Sequence, residues 1–435
     1  MSLVMSLRSR GGSGSAARAG KVLTRFGATA GAMVRRLDRY DAITSELGIR
    51  PTWPTTASVL ARHPDLLRRY AEQGVELALH GLVHGDHGGL DEAQQREAIA
   101  RAADIFDRSG LQATGFRGPY LRYNAATLNV LRELGLRYHS SQAVVYPLCG
   151  EADGARQTAY ALALELYSAR DARRIAVTPR LRSGLVDIPV SIPDDEILIE
   201  RLRLDEAAQT AQWRSVLDET YRRGDLFTVQ LHPERITELA AALQATLVAA
   251  RKRRPAVFIA TLDEIASWWQ RRSRATLRVL RTGEGRYRVR LDADPETTLL
   301  VRGLNVPRTA WSGQDATADV RDFEADAPRV PIVGVSRRTP SEVLRFLDEE
   351  GLPHEVSDAS ASYGAYVDVS AEDWTEASVL DAVDRAPGPL VRVWRWPHGA
   401  RSALAVTGDI DALTLFDFAI RSWETRSYAS GRGHE

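Results

Sequence analysis

The spacing of apolar positions changes several times along the chain. Residues 33–48 (MVRRLDRYDAITSELG) place apolar side chains three and four positions apart, which predicts an amphipathic helix that ends at Gly48. Short apolar runs at 75–80 (VELALH) and 225–232 (DLFTVQLH) predict buried strands. Such strand–helix units recur over residues 21–273, which predicts an α/β domain with a parallel barrel or sheet.

A different pattern begins after residue 273. Two segments around Gly283-Glu284-Gly285 alternate with a period of two and predict a β-hairpin. We therefore divide the remainder into three predicted parts. Residues 274–328 form a small β module, residues 329–396 form a small α/β module, and residues 397–435 form a C-terminal strand followed by a helix. Residues 1–20 are rich in Gly, Ser, Ala and Arg and are predicted to be disordered.

Composition narrows the classes of partner and location. Basic and acidic residues balance at 57 each, so no global field favours nucleic acid or an anionic membrane. No apolar run is long enough for a membrane span or a signal peptide, and we expect a cytoplasmic protein. Cys149 is the only cysteine, which excludes an intramolecular disulfide and a cysteine-based zinc site; we expect it to be buried in the core.

Residues suited to chemistry follow the predicted strands. His80 and His84 are separated by three residues, a spacing that lets both bind one metal ion and leaves positions for an acid ligand and a water. Arg117 and His232 also follow predicted strands. Because side chains at the carboxyl ends of parallel strands meet at one face, we expect these residues to lie close together.

Four ordered segments carry a family resemblance: GVELALHGLVH (74–84), FRGPY (116–120), LVDIPVS (185–191) and VQLHP (229–233). Together they resemble the NodB-homology polysaccharide deacetylases, carbohydrate esterase family 4. The resemblance implies an irregular (β/α)7 barrel, here with the small β and α/β modules inserted before the C-terminal strand. It also implies a divalent metal, with Zn²⁺ the expected ion, and removal of acetyl groups from sugars.

The resemblance also implies roles for individual residues. The metal ligands would be His80, His84 and Asp411. Asp409 would be the catalytic base and His232 the catalytic acid. Arg117 would keep the base ionised, and the backbone amide near Tyr120 would help to hold the oxyanion. Pro119 is expected to contact substrate, and Asp195 either contacts substrate or caps a helix.

The origin of the two acids is the main open question. Family members begin with a strand that ends in paired aspartates, whereas the corresponding N-terminal segment here, KVLTRFGAT (21–29), contains no acid. The C-terminal segment LAVTGDIDA (404–412) contains Asp409 and Asp411. Three explanations are open: a circularly permuted barrel, which we favour; the start of a second deacetylase domain beside an inactive first one; or exchange of this strand between two chains.

The sequence thus predicts a metal-dependent hydrolase that removes an acetyl group from an N-acetylated sugar or a related amide. The alternatives are an amidohydrolase acting on a cyclic imide or ureide, and an inactive carbohydrate-binding barrel. The expected partner is a carbohydrate or small amide, without nucleic acid or a membrane span. A homo-oligomer is an open alternative to a monomer.

Overall fold

The structure, a computed structural model, describes residues 25–150 and 153–425. The predicted disordered segment 1–20 lies outside these residues. The helices are α1 (Gly31–Ser45), α2 (Ala57–Arg62), α3 (Pro64–Glu72), α4 (Glu92–Arg108), α5 (Ala125–Glu133), α6 (Gly154–Leu166), α7 (Glu206–Arg223), α8 (Ile236–Arg251), α9 (Leu262–Arg272), α10 (Ser341–Glu349), α11 (Glu376–Arg385) and α12 (Leu415–Glu424).

The strands of the first 273 residues are β1 (Thr52–Thr55), β2 (Glu76–Leu79), β3 (Gly115–Phe116), β4 (Tyr138–His139), β5 (Ala143–Val145), β6 (Arg170–Asp171), β7 (Arg180–Arg182), β8 (Leu185–Asp187), β9 (Val190–Ile192), β10 (Leu226–Leu231) and β11 (Val257–Ile259). The later strands are β12 (Thr276–Gly283), β13 (Arg286–Asp292), β14 (Leu299–Arg302), β15 (Arg308–Ser312), β16 (Asp315–Ala318), β17 (Asp322–Asp326), β18 (Val330–Val335), β19 (His354–Val356), β20 (Tyr363–Val367), β21 (Leu390–Val393) and β22 (Ser402–Gly408).

The largest sheet has the strand order β10-β22-β1-β2-β3-β4-β8-β7, and β11 also pairs with β22. Its pairs are parallel except for β7 with β8. A smaller parallel sheet, β6-β5-β9, continues the curl, because Ser191 of β9 accepts a hydrogen bond from the backbone N–H of Thr228 in β10 at 3.2 Å. The predicted α/β class is confirmed, and the sheet forms a curled half-barrel.

The last strand of the described residues, β22, lies in the middle of this sheet. All seven of its residues are buried, and six of them pair with β10, from Leu226 with Ala403 to Leu231 with Gly408. On its other side it meets β1 through Thr52 and Thr407. Gly408 has no space for a larger residue, since a Cβ there would lie 2.6 Å from the ring of Tyr40 in α1. The C-terminal strand therefore packs directly against the N-terminal helix.

The later strands form three further sheets, with orders β12-β13-β17, β15-β16-β14-β21 and β19-β18-β20. The predicted hairpin is β12 with β13. The boundary drawn at residue 328 divides one sheet, however, because β14 of the predicted β module pairs antiparallel with β21 of the predicted α/β module. The two parts share an interface rather than forming separate modules.

A buried ion network joins this region to the half-barrel. The guanidinium of Arg395 donates to the carboxylate of Asp225, just before β10, at 2.8 Å, and to that of Glu350, just after α10, at 2.7 Å. All three side chains are almost fully buried. Since a buried charge without its partner is costly, this network fixes the two parts of the molecule together.

Two expectations from composition have different outcomes. Among the described residues, no helix is long and apolar enough to cross a membrane. The expectation that Cys149 lies in the core is wrong: its side chain is exposed, and its Sγ lies 3.6 Å from the carbonyl oxygen of Ala211. The apolar residues before it end in a surface loop.

Candidate active site

A polar cavity opens at the carboxyl ends of β2, β10 and β22. Its volume is about 120 Å³, several times what one water molecule needs. Most of the residues assigned to the site from the sequence lie on its wall. These are His80, His84, Tyr120, His232, Asp409 and Asp411.

Two turns place the histidines. His80 follows β2, and its Nδ1 donates a hydrogen bond to the carbonyl oxygen of Arg117 at 2.8 Å, which leaves the Nε2 lone pair facing the cavity. The loop to His84 turns at Gly81, where φ is +79° and a Cβ would lie 2.9 Å from the ring of His87. A side chain at this position would move His84 away from His80.

Asp411 lies against both imidazoles. Its Oδ1 is 3.4 Å from Nε2 of His80, and its Oδ2 is 3.1 Å from Nε2 of His84. Neither Nε2 of His80 nor Oδ1 of Asp411 has a hydrogen-bond partner among the described residues, although both atoms are buried. Burial lowers the pKa of His84 well below its usual value, so its ring is neutral near pH 7. The Asp411 carboxylate thus faces the ring nitrogens of both histidines, and one of its oxygens is buried without a hydrogen-bond partner among the described residues.

This arrangement fits a divalent metal. With ligand bonds of roughly 2.1 Å, two ligands of a tetrahedral site lie roughly 3.4 Å apart. The histidine–carboxylate distances of 3.4 and 3.1 Å match that spacing. The three residues form a group whose ligand atoms all lie within 4.8 Å of one another. The donor set of two imidazoles and one carboxylate is typical of catalytic zinc sites.

Asp409 lies beside this group and is held by two side chains. Arg117 donates to its Oδ1 and Gln230 to its Oδ2, both at 2.9 Å. The guanidinium of Arg117 is fully buried and also donates to Thr407 and to the backbone carbonyl and hydroxyl of Ser140. A fixed positive charge therefore lies directly against one oxygen of the Asp409 carboxylate.

On the opposite wall, His232 is held by Asp195. Nδ1 of His232 lies 3.0 Å from both carboxylate oxygens, and Oδ2 of Asp195 accepts from the backbone N–H of His232 at 2.8 Å. Arg235 donates to the same oxygen at 3.0 Å. Burial by itself would lower the pKa of His232, but the Asp195 carboxylate raises it well above its usual value. His232 is therefore a protonated acid at neutral pH.

Tyr120 lies in a short 3-10 turn with the left-handed backbone angles φ 60° and ψ 17°. Its ring meets the imidazole of His84 edge-on, with the ring centroids 4.4 Å apart. Two residues of the FRGPY segment therefore contribute to the site. Arg117 donates a hydrogen bond to Asp409, and Tyr120 forms part of the cavity wall.

Two substrate-binding assignments need correction. Pro119 is buried in the 3-10 turn and does not line the cavity. Asp195 has a side chain with no exposed surface, because its carboxylate is enclosed by His232 and Arg235. It does not cap a helix either: the preceding Asp194 accepts the hydrogen bond from the backbone N–H of Ile197 at 2.9 Å.

Among the residues that the sequence analysis missed, Gln230, Arg235 and Arg421 donate hydrogen bonds to predicted site residues. Gln230 could have been found, because it lies in β10, two positions before His232, and side chains at that spacing share a face. Arg235 and Arg421 gave no such signal. Arg421 lies on α12, and its Nη1 donates to Oδ2 of Asp411 at 2.8 Å.

Comparisons with known proteins agree with the motifs. Residues 34–139 match the family model described as polysaccharide deacetylase. The peptidoglycan deacetylase-like protein FGM2 of Gibberella zeae is 27% identical over 112 residues, which are 26% of this chain and 32% of that protein. The matched part thus spans about a third of the length of this curated relative.

Two solved structures resemble parts of the fold. One is a putative polysaccharide deacetylase from Mycobacterium smegmatis, with 22% identity, a TM-score of 0.42, and coverage of 54% of this chain and 76% of that one. The other is the allantoinase Puue, with 19% identity, a TM-score of 0.43, and coverage of 54% and 72%. The resemblance predicted from the motifs is confirmed, since residues 34–139 are similar to the polysaccharide deacetylase family.

Proposed function

We propose that the protein is a metal-dependent hydrolase that removes the acetyl group from an N-acetylated carbohydrate. One observation carries the proposal: a single cavity brings together a three-residue metal-ligand group, a carboxylate held by a buried arginine, and a protonated imidazole. Amide hydrolysis needs each of these parts, namely an electrophile for the carbonyl, a base for the water and an acid for the amine.

His80, His84 and Asp411 would hold the metal, with Zn²⁺ the expected ion. When bound, a divalent metal supplies Lewis-acid polarisation of the carbonyl and makes a water molecule easier to deprotonate. The contact from Nδ1 of His80 to the Arg117 carbonyl fixes the tautomer in which Nε2 is free to act as a ligand.

Asp409 acts as the base. Its Oδ2 lies 4.0 Å from Nε2 of His80, so the carboxylate borders the ligand group without belonging to it. Arg117 and Gln230 hold its two oxygens in place. The carboxylate takes one proton from the attacking water while the water oxygen bonds to the carbonyl carbon.

His232 acts as the acid. It gives its Nε2 proton to the amide nitrogen as the carbon–nitrogen bond breaks, so the products are an amine and an acetate. Asp195 stabilises the charged ring before that transfer. The backbone amide of Tyr120, on the neighbouring wall, helps to stabilise the negative oxygen of the tetrahedral intermediate.

We also propose that the half-barrel is the irregular seven-stranded barrel of the family in circularly permuted form. The position of β22 between β10 and β1 supports this, because it brings Asp409 and Asp411 to the place where the family's first strand would carry them. The later β and α/β parts would then be insertions before that strand. A cytoplasmic location stays a prediction.

The name of the matched relative suggests a peptidoglycan-like glycan as the substrate class. The test is release of acetate from N-acetylglucosamine oligomers and from peptidoglycan fragments by the metal-loaded protein. We expect Asp409→Asn to abolish turnover with metal content unchanged, and His80→Ala and Asp411→Ala to abolish both.

Other results would reject parts of the proposal. Metal content and turnover that survive Asp411→Ala would rule out the permuted site. Hydrolysis of a cyclic ureide such as allantoin, without acetate release from any glycan, would establish the amidohydrolase alternative. Binding of metal and sugar without turnover of either substrate class would indicate a carbohydrate-binding barrel.

A further inference from the structure

We infer that Arg421 is a positioning residue for the metal ligand Asp411, and that it determines which carboxylate oxygen faces the metal. The inference rests on the proposed metal site. It concerns a residue outside the motifs that carry the family resemblance, contributed by the helix that follows the two aspartates.

The two oxygens of Asp411 have different surroundings. Oδ2 accepts a hydrogen bond from Nη1 of Arg421 at 2.8 Å and lies 3.1 Å from Nε2 of His84. Oδ1 is buried without a hydrogen-bond partner among the described residues and lies 3.4 Å from Nε2 of His80. Since Arg421 already engages one oxygen, the other is left with both lone pairs for a cation. The guanidinium therefore orients the carboxylate as an outer partner orients a metal ligand.

Arg421 is itself held in place. Its guanidinium lies over the ring of Phe418, 5.3 Å from the centroid, and this ring stacks on Phe26 with the centroids 5.4 Å apart. Packing against an aromatic face restricts the rotamers of a long side chain, so less entropy is lost when it binds the carboxylate.

The helix that carries Arg421 is also anchored. Thr414 caps α12, because its hydroxyl accepts a hydrogen bond from the backbone N–H of Asp417. The Asp417 carboxylate accepts from Nε of Arg62 at 2.6 Å and contacts Nε2 of His63 at 3.0 Å. Arg62 also donates to Glu424 at 2.8 Å, near the other end of the helix. These contacts tie α12 to α2, so the position of Arg421 relative to Asp411 is set by the fold.

Two opposite effects of Arg421 on metal binding can be separated by experiment. As an orienting partner it strengthens binding, and loss of such partners typically weakens metal affinity by about 10- to 100-fold. Arg421 would weaken metal binding instead if its positive charge repelled the ion, or if its hydrogen bond used the oxygen that the metal needs. The fixed geometry and the free Oδ1 favour the first effect.

The experiment measures Zn²⁺ affinity of the full chain by competition with a chromophoric chelator, and the visible spectrum of the Co²⁺-loaded protein. We expect Arg421→Met to weaken Zn²⁺ binding by about 10- to 100-fold and to alter the Co²⁺ absorption bands. Arg421→Lys keeps the charge without the planar fork, so its affinity should lie between those of Arg421→Met and the unaltered protein.

Arg25→Met is the matched control. Arg25 lines the same cavity, but its ion pairs are with Glu200 and Glu238. Removing this charge should leave Zn²⁺ affinity within about threefold, or strengthen it slightly, because only long-range repulsion changes. Thermal unfolding without metal shows whether each variant is folded.

The outcomes are distinct. If Arg421→Met, or Arg421→Lys where the methionine variant fails to fold, binds Zn²⁺ as tightly as the unaltered protein or more tightly, the positioning role is wrong. Equal weakening by Arg25→Met would attribute the effect to general charge and would also overturn it. If the unaltered protein binds no Zn²⁺, the proposed function itself fails.

Discussion

The contact between Asp195 and His232 makes a quantitative prediction about pH. Asp195→Asn keeps the size of the side chain and an acceptor for Nδ1 of His232, but removes the negative charge. Both carboxylate oxygens lie 3.0 Å from Nδ1, so the two charges are centred about 4 Å apart. At an effective dielectric constant near 20, this interaction is worth about 4 kcal/mol.

The Asp195 carboxylate is what holds the pKa of His232 above its usual value, so we expect this pKa to fall in Asp195→Asn. The sign follows from the role of the residue. Since an acid works only when protonated, activity is lost as pH rises through the pKa of His232, and a lower pKa brings that loss to lower pH.

The assay is kcat/KM for acetate release as a function of pH, because this ratio reports ionisations of the free enzyme. A titration of the His232 ring by NMR gives the same pKa without catalysis. Asp194→Asn is the comparison: Asp194 is equally buried and its charge also acts on His232, but it binds the backbone N–H of Ile197 and not the ring, so the alkaline limb should move less than in Asp195→Asn. An alkaline limb that does not move in Asp195→Asn would refute the acid role of His232.

Three further changes test other parts of the structure. Gln230→Ala removes a hydrogen bond to the Asp409 carboxylate that is worth about 1.5–3 kcal/mol. We expect kcat to fall at least about tenfold while Zn²⁺ affinity stays unchanged. An unaltered kcat would contradict the role of that contact. Arg395→Met leaves the buried carboxylate of Glu350 without its ion pair and Asp225 with Arg223 alone. It should lower the free energy of unfolding in urea by about 3–5 kcal/mol, whereas a loss below about 1 kcal/mol would show that the network is dispensable. Gly408→Ala places a Cβ 2.6 Å from the ring of Tyr40 in α1 and should lower the free energy of unfolding by about 1–3 kcal/mol. Gly89→Ala is the control and should lower it much less, because no atom lies within 4 Å of its Cβ position. Equal effects of the two changes would refute the packing argument.

Local sequence patterns identified most of the predicted residues that line the cavity. The spacing of His80 and His84 indicated one metal, and the pair of aspartates at Asp409 and Asp411 stood out because each follows a buried strand by one or three residues. The pattern could not choose among the three origins of these acids, because the pairing of β22 with β10 and β1 is non-local. In the structure both aspartates reach the cavity from the same chain as the histidines.

Side-chain direction was the main source of error. Asp195 was predicted either to contact substrate or to cap a helix, but its side chain turns into the protein and holds His232. Arg421 was not found, because a helical arginine ten residues after Asp411 points towards it only when α12 is anchored on α2. Cys149 was assigned to the core from its apolar neighbours, although these lead into a loop. Sequence patterns report periodicity, and these outcomes depend on tertiary packing.

The same reasoning applies at residue 328, where the predicted boundary separates two paired strands. The apolar run of β14 marks it as a strand, but nothing in that run identifies the strand with which it pairs. Its antiparallel pairing with β21 joins residues about 90 positions apart, and the position of that partner depends on the α/β part having folded between them.

The position of β22 links metal binding to the completeness of the fold. The strand that carries Asp409 and Asp411 is buried along its whole length at the centre of the sheet, whereas His80 and His84 lie about 330 positions earlier in the chain. A metal that binds all three ligands can therefore stabilise only the state in which β22 is paired between β10 and β1. It follows that a change that loosens this strand, such as Gly408→Ala, should weaken Zn²⁺ binding although it touches no ligand. The histidines alone would retain at most the weak affinity of a two-ligand site, since the carboxylate and its orienting arginine leave together with the strand and its helix.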